Sequence, residues 1–235
     1  MTNFRHEGPV WQVCWSHPKF GGLLASCSYD SKVFIWKEEN GTFTKIYEHL
    51  VHESSVNSIA FGPFEDGLNL ACASSDGNVS VLTCHEDGQW EHQLFNAHQI
   101  GCNSVSWGKG MLATGGCDNL IKLWTKQNSK WALKGEPLKG HLDWVRDVQF
   151  SPSRGLNGEM MASCSQDKVV FIWTLQKDGT FTNKLLNEFP ETVWRVSWSL
   201  SGNILAVSCG DNKVYLWKET ASGWENVSKM EEGSQ

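Results

Sequence analysis

The sequence predicts an all-β propeller of five four-stranded blades, and three observations carry that prediction. An aspartate recurs as Asp30, Asp76, Asp118, Asp167 and Asp211, at spacings of 42 to 49 residues, the period of a four-stranded blade. Six residues after each stands a tryptophan or its substitute: Trp36, Leu82, Trp124, Trp173 and Trp217. Between them apolar pairs alternate with a variable position: Val33/Ile35, Val79/Val81, Ile121/Leu123, Val170/Ile172 and Val214/Leu216 flank Phe34, Ser80, Lys122, Phe171 and Tyr215. Such period-two burial marks a strand with one face in a core.

The other strands of each unit follow in order. A first strand opens each repeat at Val10, Val56, Cys102, Val145 and Val193, and a short second one ends near Ala25, Ala71, Ala113, Ala162 and Ala206. The third runs from aspartate to tryptophan. A fourth begins at an aromatic (Phe43, Trp90, Trp131, Phe181, Trp224), entered in three repeats through Asn40-Gly41, Asp87-Gly88 and Asp178-Gly179, dipeptides that accept the positive φ of tight hairpins. The reading gives one domain over 1–230, with blades at about 6–50, 52–97, 98–140, 141–188 and 189–230, and a polar tail at 231–235.

Composition narrows the function. At 235 residues and 40% hydrophobic content, the chain can bury a large core. A net charge of −6 with scattered Lys and Arg argues against direct nucleic-acid binding. The eight cysteines form no Cys-x-x-Cys pair, and five of them (Cys27, Cys72, Cys117, Cys164 and Cys209) sit at small-residue positions just before the repeat aspartates, so packed, reduced thiols are expected, with no metal and no cofactor. No apolar stretch reads as a signal peptide or membrane span, which points to a cytosolic protein.

With these repeats the chain resembles the WD-repeat family. That resemblance implies a structural tetrad of His, Ser/Thr, Asp and Trp, complete in three repeats: His6/Ser26/Asp30/Trp36, His98/Thr114/Asp118/Trp124 and His141/Ser163/Asp167/Trp173. It reads as lost in repeat two, at Cys72 and Leu82, and in repeat five, at Phe189 and Val207. The residue types match a hydrolase triad, but recurrence at three equivalent positions favours structure over catalysis. No non-repeating polar cluster suggests an enzyme: Glu65, Asp66, His85 and Glu86 read as solvated loop residues.

Longer strings resemble the Sec-thirteen family in particular, among them His6-Glu7-Gly8-Pro9-Val10-Trp11-Gln12-Val13, Gly115-Gly116-Cys117-Asp118-Asn119-Leu120 and Asp143-Trp144-Val145-Arg146-Asp147-Val148. The resemblance implies a structural scaffold subunit: an open propeller that a partner protein completes with a blade of its own. Partners implied are a Sec-thirty-one-type rod subunit of the COPII coat, which works in ER-to-Golgi transport, a helical scaffold nucleoporin of the nuclear pore's Y complex, and an amino-acid-sensing complex upstream of the TOR kinase. The implied locations are the cytoplasmic face of the endoplasmic reticulum and its vesicles, peripheral to the membrane through the coat, and the nuclear pore. A different WD-repeat adaptor, a Seh-one-like nucleoporin or a ubiquitin-ligase substrate receptor, is the alternative.

Family members carry a further blade before the position of His6, where five residues stand here. A fragment, a shortened isoform with a wider gap, and closure as a five-bladed ring all satisfy the sequence, and weaker binding of the coat partner is expected. Docking is expected along the last blade, about 193–229, with Val193, Trp194, Trp217 and Trp224 as candidate contacts. Trp144, at the position of Pro9, Ser55, Gly101 and Thr192, is a further candidate anchor.

Overall fold

The computed structural model describes residues 5–152 and 159–228, so the expected tail at 231–235 lies outside the described residues. Blade one comprises Val10–Trp15, Leu23–Ser28, Val33–Glu39 and Thr42–His49 (β1–β4), and blade two Val56–Phe61, Leu68–Ser74, Asn78–Cys84 and Trp90–Asn96 (β5–β8). Blade three is Cys102–Gly108, Met111–Gly116, Ile121–Gln127 and Lys130–Leu133 (β9–β12). Blade four is Val145–Phe150, Met160–Ser165, Val169–Leu175 and Phe181–Glu188 (β13–β16), and blade five Val193–Trp198, Ile204–Cys209, Val214–Thr220 and Gly223–Asn226 (β17–β20). Each blade is an antiparallel meander whose strands pair in sequence order. The Asn40-Gly41 hairpin has φ of 53° and 79°, which fits the right-handed twist of the strands it joins.

The core lies between blades rather than within them. Ala25, Cys27, Val33 and Ile35 of blade one pack against Val56, Ile59, Leu70 and Cys72 of blade two. Equivalent clusters join blade two to three, three to four, and four to five. The first strands pack in series, β1 on β5, β5 on β9, β9 on β13 and β13 on β17, and among the described residues no comparable packing joins blade five back to blade one. The ring is therefore open, and closure as a five-bladed ring does not occur.

Polar clips accompany the apolar contacts. In blades one to four the third residue of the first strand accepts the amide of the fourth residue of the next blade's first strand. Ile59 N–H donates to Gln12 at 3.0 Å, Val105 to Ser58 at 3.4 Å, Val148 to Ser104 at 3.2 Å and Val196 to Asp147 at 3.1 Å. Blade five places Arg195 at this position, a donor where the other blades have acceptors.

The end blades expose what the inner blades bury. Val10 and Val13 are 48% and 56% exposed, whereas the equivalent Val56, Val145, Ile59 and Val148 are at most 1% exposed. On the opposite side, Val214 and Leu216 are 61% and 40% exposed, while Val33, Ile35, Val170 and Ile172 are buried. These are the two faces of one interface with no blade between them.

Five cysteines are buried, and Cys14, Cys84 and Cys117 are half-buried. None forms a disulfide, and burial pushes the Cys14 and Cys27 thiols up to about 12, which removes the reactive thiolate.

Candidate functional site

The three complete tetrads form as hydrogen-bonded chains. His98 Nδ1 meets Asp118 at 2.7 Å and its Nε2 meets Thr114 Oγ1 at 2.8 Å, while the Trp124 indole donates to the same hydroxyl at 3.0 Å. His141, Asp167, Ser163 and Trp173 repeat the pattern with contacts of 2.7 to 3.0 Å. His6, Asp30, Ser26 and Trp36 do so with contacts of 2.8 to 3.1 Å. A proton on Nδ1 satisfies every member: the ring donates to the carboxylate and accepts from the hydroxyl, which accepts from the indole. Thr114 and Ser163 are fully buried and Ser26 nearly so, so their oxygens are spent on structure and closed to a substrate.

Repeats two and five depart from this pattern in different ways. Repeat two lacks the second-strand hydroxyl but keeps a network: His52 Nδ1 meets Asp76 at 3.0 Å and its Nε2 meets Ser80 Oγ at 2.8 Å. Ser80 is the cross-strand partner of Cys72, so the hydroxyl has moved one strand sideways. In repeat five the network is dismantled. Phe189 replaces the imidazole and packs edge-on against Tyr215 and Trp217, and Asp211 accepts the Tyr215 hydroxyl at 2.6 Å. Val207 offers no acceptor, which leaves the buried Trp217 indole N–H without a partner.

The position that reads as variable along the third strands has a constant job: its side chain meets the blade's histidine or aspartate. Phe34 stacks on His6 at 4.0 Å, Phe171 meets His141 edge-on at 4.9 Å, and Lys122 lies 3.3 Å from Asp118. Ser80 and Tyr215 complete the set.

Titration follows from this burial. Burial, with His52 and His92 nearby, depresses His49 from the ordinary 6.5 to about 3, and burial outweighs the Asp76 carboxylate to depress His52 as well. For Asp118 and Asp167 burial acts upward, but the histidine partners and backbone amides win and hold both carboxyls below the usual range. For His49 this means that, as pH falls below 6.5, the unfolded chain takes up a proton the folded chain refuses until about pH 3. Stability is therefore full above that window and falls through it, and the aspartates add a further loss at lower pH. Each such histidine contributes up to about 1.4 kcal/mol per pH unit. His49→Gln is expected to flatten the slope of unfolding free energy by about one proton between roughly pH 6 and 4, measured by urea denaturation across pH. An unchanged slope would contradict the neutral, buried assignment.

The candidate contact residues separate into three groups by exposure. Val193 and Trp217 are 0% and 8% exposed within the cluster joining blades four and five, so a partner cannot reach them, which corrects that expectation. Trp224 is half-buried against Trp198. Trp144 and Trp194 are 40% and 48% exposed, with the Arg146 guanidinium 5.1 and 4.7 Å from their rings. The open blade faces at Val10 and Val13 and at Val214 and Leu216 escaped the sequence reading, because their pattern is that of core residues.

Known proteins place this architecture in a family. The family model "WD domain, G-beta repeat" matches residues 1–37, 43–89, 82–125, 133–174 and 183–218. Similar relatives include the "Protein SEC13 homolog" of Drosophila melanogaster, 48% identical over 95% of this chain and 69% of its own length. "Protein transport protein SEC13" of Yarrowia lipolytica is 52% identical over 97% and 83%, and that of Mycosarcoma maydis is 44% identical over 96% and 81%. With the open ring and the repeated tetrads, these likenesses make the chain a member of the Sec-thirteen (SEC13) family of WD-repeat propellers.

Proposed function

We propose that this chain is a non-enzymatic scaffold subunit in protein transport, whose open side accepts a β-segment from a partner. The observation that carries the reading is the pair of exposed faces, with residues at positions that are buried between neighbouring blades. A blade entering the gap gains apolar burial against Val13 and Leu216 and a place beside the exposed strands. Such an interface suits a lasting subunit contact. The relatives named for protein transport support that role, and the sequestered tetrad hydroxyls support a structural one.

The partner proposed is the Sec-thirty-one-type rod subunit of the COPII coat, with a helical scaffold nucleoporin of the Y complex and the amino-acid-sensing complex upstream of TOR as further assemblies. The corresponding locations are the cytoplasmic face of the endoplasmic reticulum with its vesicles, and the nuclear pore.

Titration calorimetry of the chain with the rod subunit's insertion blade tests the reading. One-to-one binding with a negative heat-capacity change is expected, as apolar burial requires. No heat and no copurification would refute it.

A further inference from the structure

Each first strand carries a β-bulge at its second residue. The pairing register skips Trp11, Asn57, Asn103, Arg146 and Trp194 in blades one to five. A bulge turns one side chain off the ladder, a device common beside binding sites. All five bulged residues line one basin of about 510 Å³ at the mouth of the central channel, together with Trp144 and Arg195.

The two halves of this mouth differ. In blades one to three the bulged side chains are satisfied internally. Trp11 donates to Ser55 at 2.7 Å, Asn57 to Ser75 at 2.8 Å and to the Cys102 carbonyl at 3.0 Å, and Asn103 to the Val145 carbonyl at 2.9 Å. In blades four and five the donors are left over. Arg146 lies between Trp144 and Trp194 and bonds Gln166 through one terminal nitrogen, while its buried Nε has no partner. The Arg195 guanidinium makes no hydrogen bond or ion pair among the described residues, and its charge acts on buried Asp147. Among the described residues no Asp or Glu lines the basin, although the chain carries a net charge of −6. Asp143, beside it, is engaged by the amide of Trp144 at 2.7 Å.

We propose that this half of the mouth binds an acidic linear segment of a partner protein, with carboxylates on Arg146 and Arg195 and an aromatic side chain against Trp144 and Trp194. A guanidinium fork matches a carboxylate in geometry as well as charge. Stacking between two indoles holds Arg146 in place before the ligand arrives, so less ordering cost falls on binding. Exposed Trp and Arg side by side have the composition of an interface hot spot. An extended phosphate backbone needs a longer basic track than the two arginines that line the basin. The basin faces the channel mouth, so the proposal stands apart from blade insertion at the open side.

Fluorescence anisotropy with a fluorescein-labelled Glu-Glu-Phe-Glu-Glu peptide tests it, beside the same peptide with Lys for Glu. The acidic peptide is expected to saturate and to weaken with salt, although the protein's net charge favours the basic one. Arg195→Ala and Arg146→Gln are each expected to weaken binding about tenfold or more, the loss of a charge-assisted hydrogen bond. Trp194→Leu, at an exposed position, keeps the fold and is also expected to weaken it, so the test survives if an arginine variant misfolds. Equal affinity for the basic peptide, no saturation by about 1 mM, or full affinity in folded Trp194→Leu would overturn the proposal. So would binding confined to phosphatidylserine vesicles or to single-stranded oligonucleotide.

Discussion

A His98→Ala chain is expected to lose about 3–5 kcal/mol of unfolding free energy, the combined cost of an under-bonded buried carboxylate and the void left by a buried ring. His98 is fully buried and links Asp118 to Thr114, on which the Trp124 indole also depends. Its removal leaves a carboxylate without its main partner, a hydroxyl with one bond fewer, and a void the size of an imidazole. Gly116→Ala attacks the same network from the backbone, because a Cβ there would fall 2.2 Å from His98 Nδ1 and 2.6 Å from Asp118 Oδ1. His85→Ala is the control: its ring is 49% exposed and pairs with Glu91 at the surface, so a change within about 0.5 kcal/mol is expected. Urea unfolding followed by tryptophan fluorescence compares the three, and similar losses for His98→Ala and His85→Ala would remove the tetrad from the account of stability.

Leu216→Glu is expected to leave the fold intact and to weaken binding of the partner's insertion blade by about 100-fold or more. At 40% exposure the carboxylate stays in water in the free chain. An inserted blade would cover it without a counter-charge, at a cost of roughly 3 kcal/mol or more. The equivalent substitution one blade earlier, Ile172→Glu, buries the charge in the existing core, where Ile172 is 4% exposed, and is expected to unfold the chain. The pair separates the two roles one repeat position can have. Calorimetry and circular dichroism read both, and full affinity in Leu216→Glu would exclude its face from the interface.

The five blades and three complete tetrads were legible because residue types recur at fixed spacing and each residue's role is local to its blade. Other features depended on neighbours that spacing does not reveal. Ser80 takes over for Cys72 only through strand register. Trp11, Arg146 and Trp194 gather at the channel because a bulge shifts one residue out of the alternation, which breaks the period that sequence patterning relies on. Val193 and Trp217 read as an exposed edge, but the open part of the last blade is a face, so Val214 and Leu216 are bare while Val193 lies inside. Their apolar alternation is the same in every blade, and exposure depends on whether a next blade is present.

Hydrogen exchange of the chain with and without the partner's insertion blade tests the central claim most directly. The account predicts new protection in β1 and in β18–β20, the strands flanking the gap, with β5 to β16 unchanged because their interfaces are already closed. Protection spread over the inner blades, or confined to the channel mouth around Trp144 and Trp194, would contradict an open propeller completed at its side.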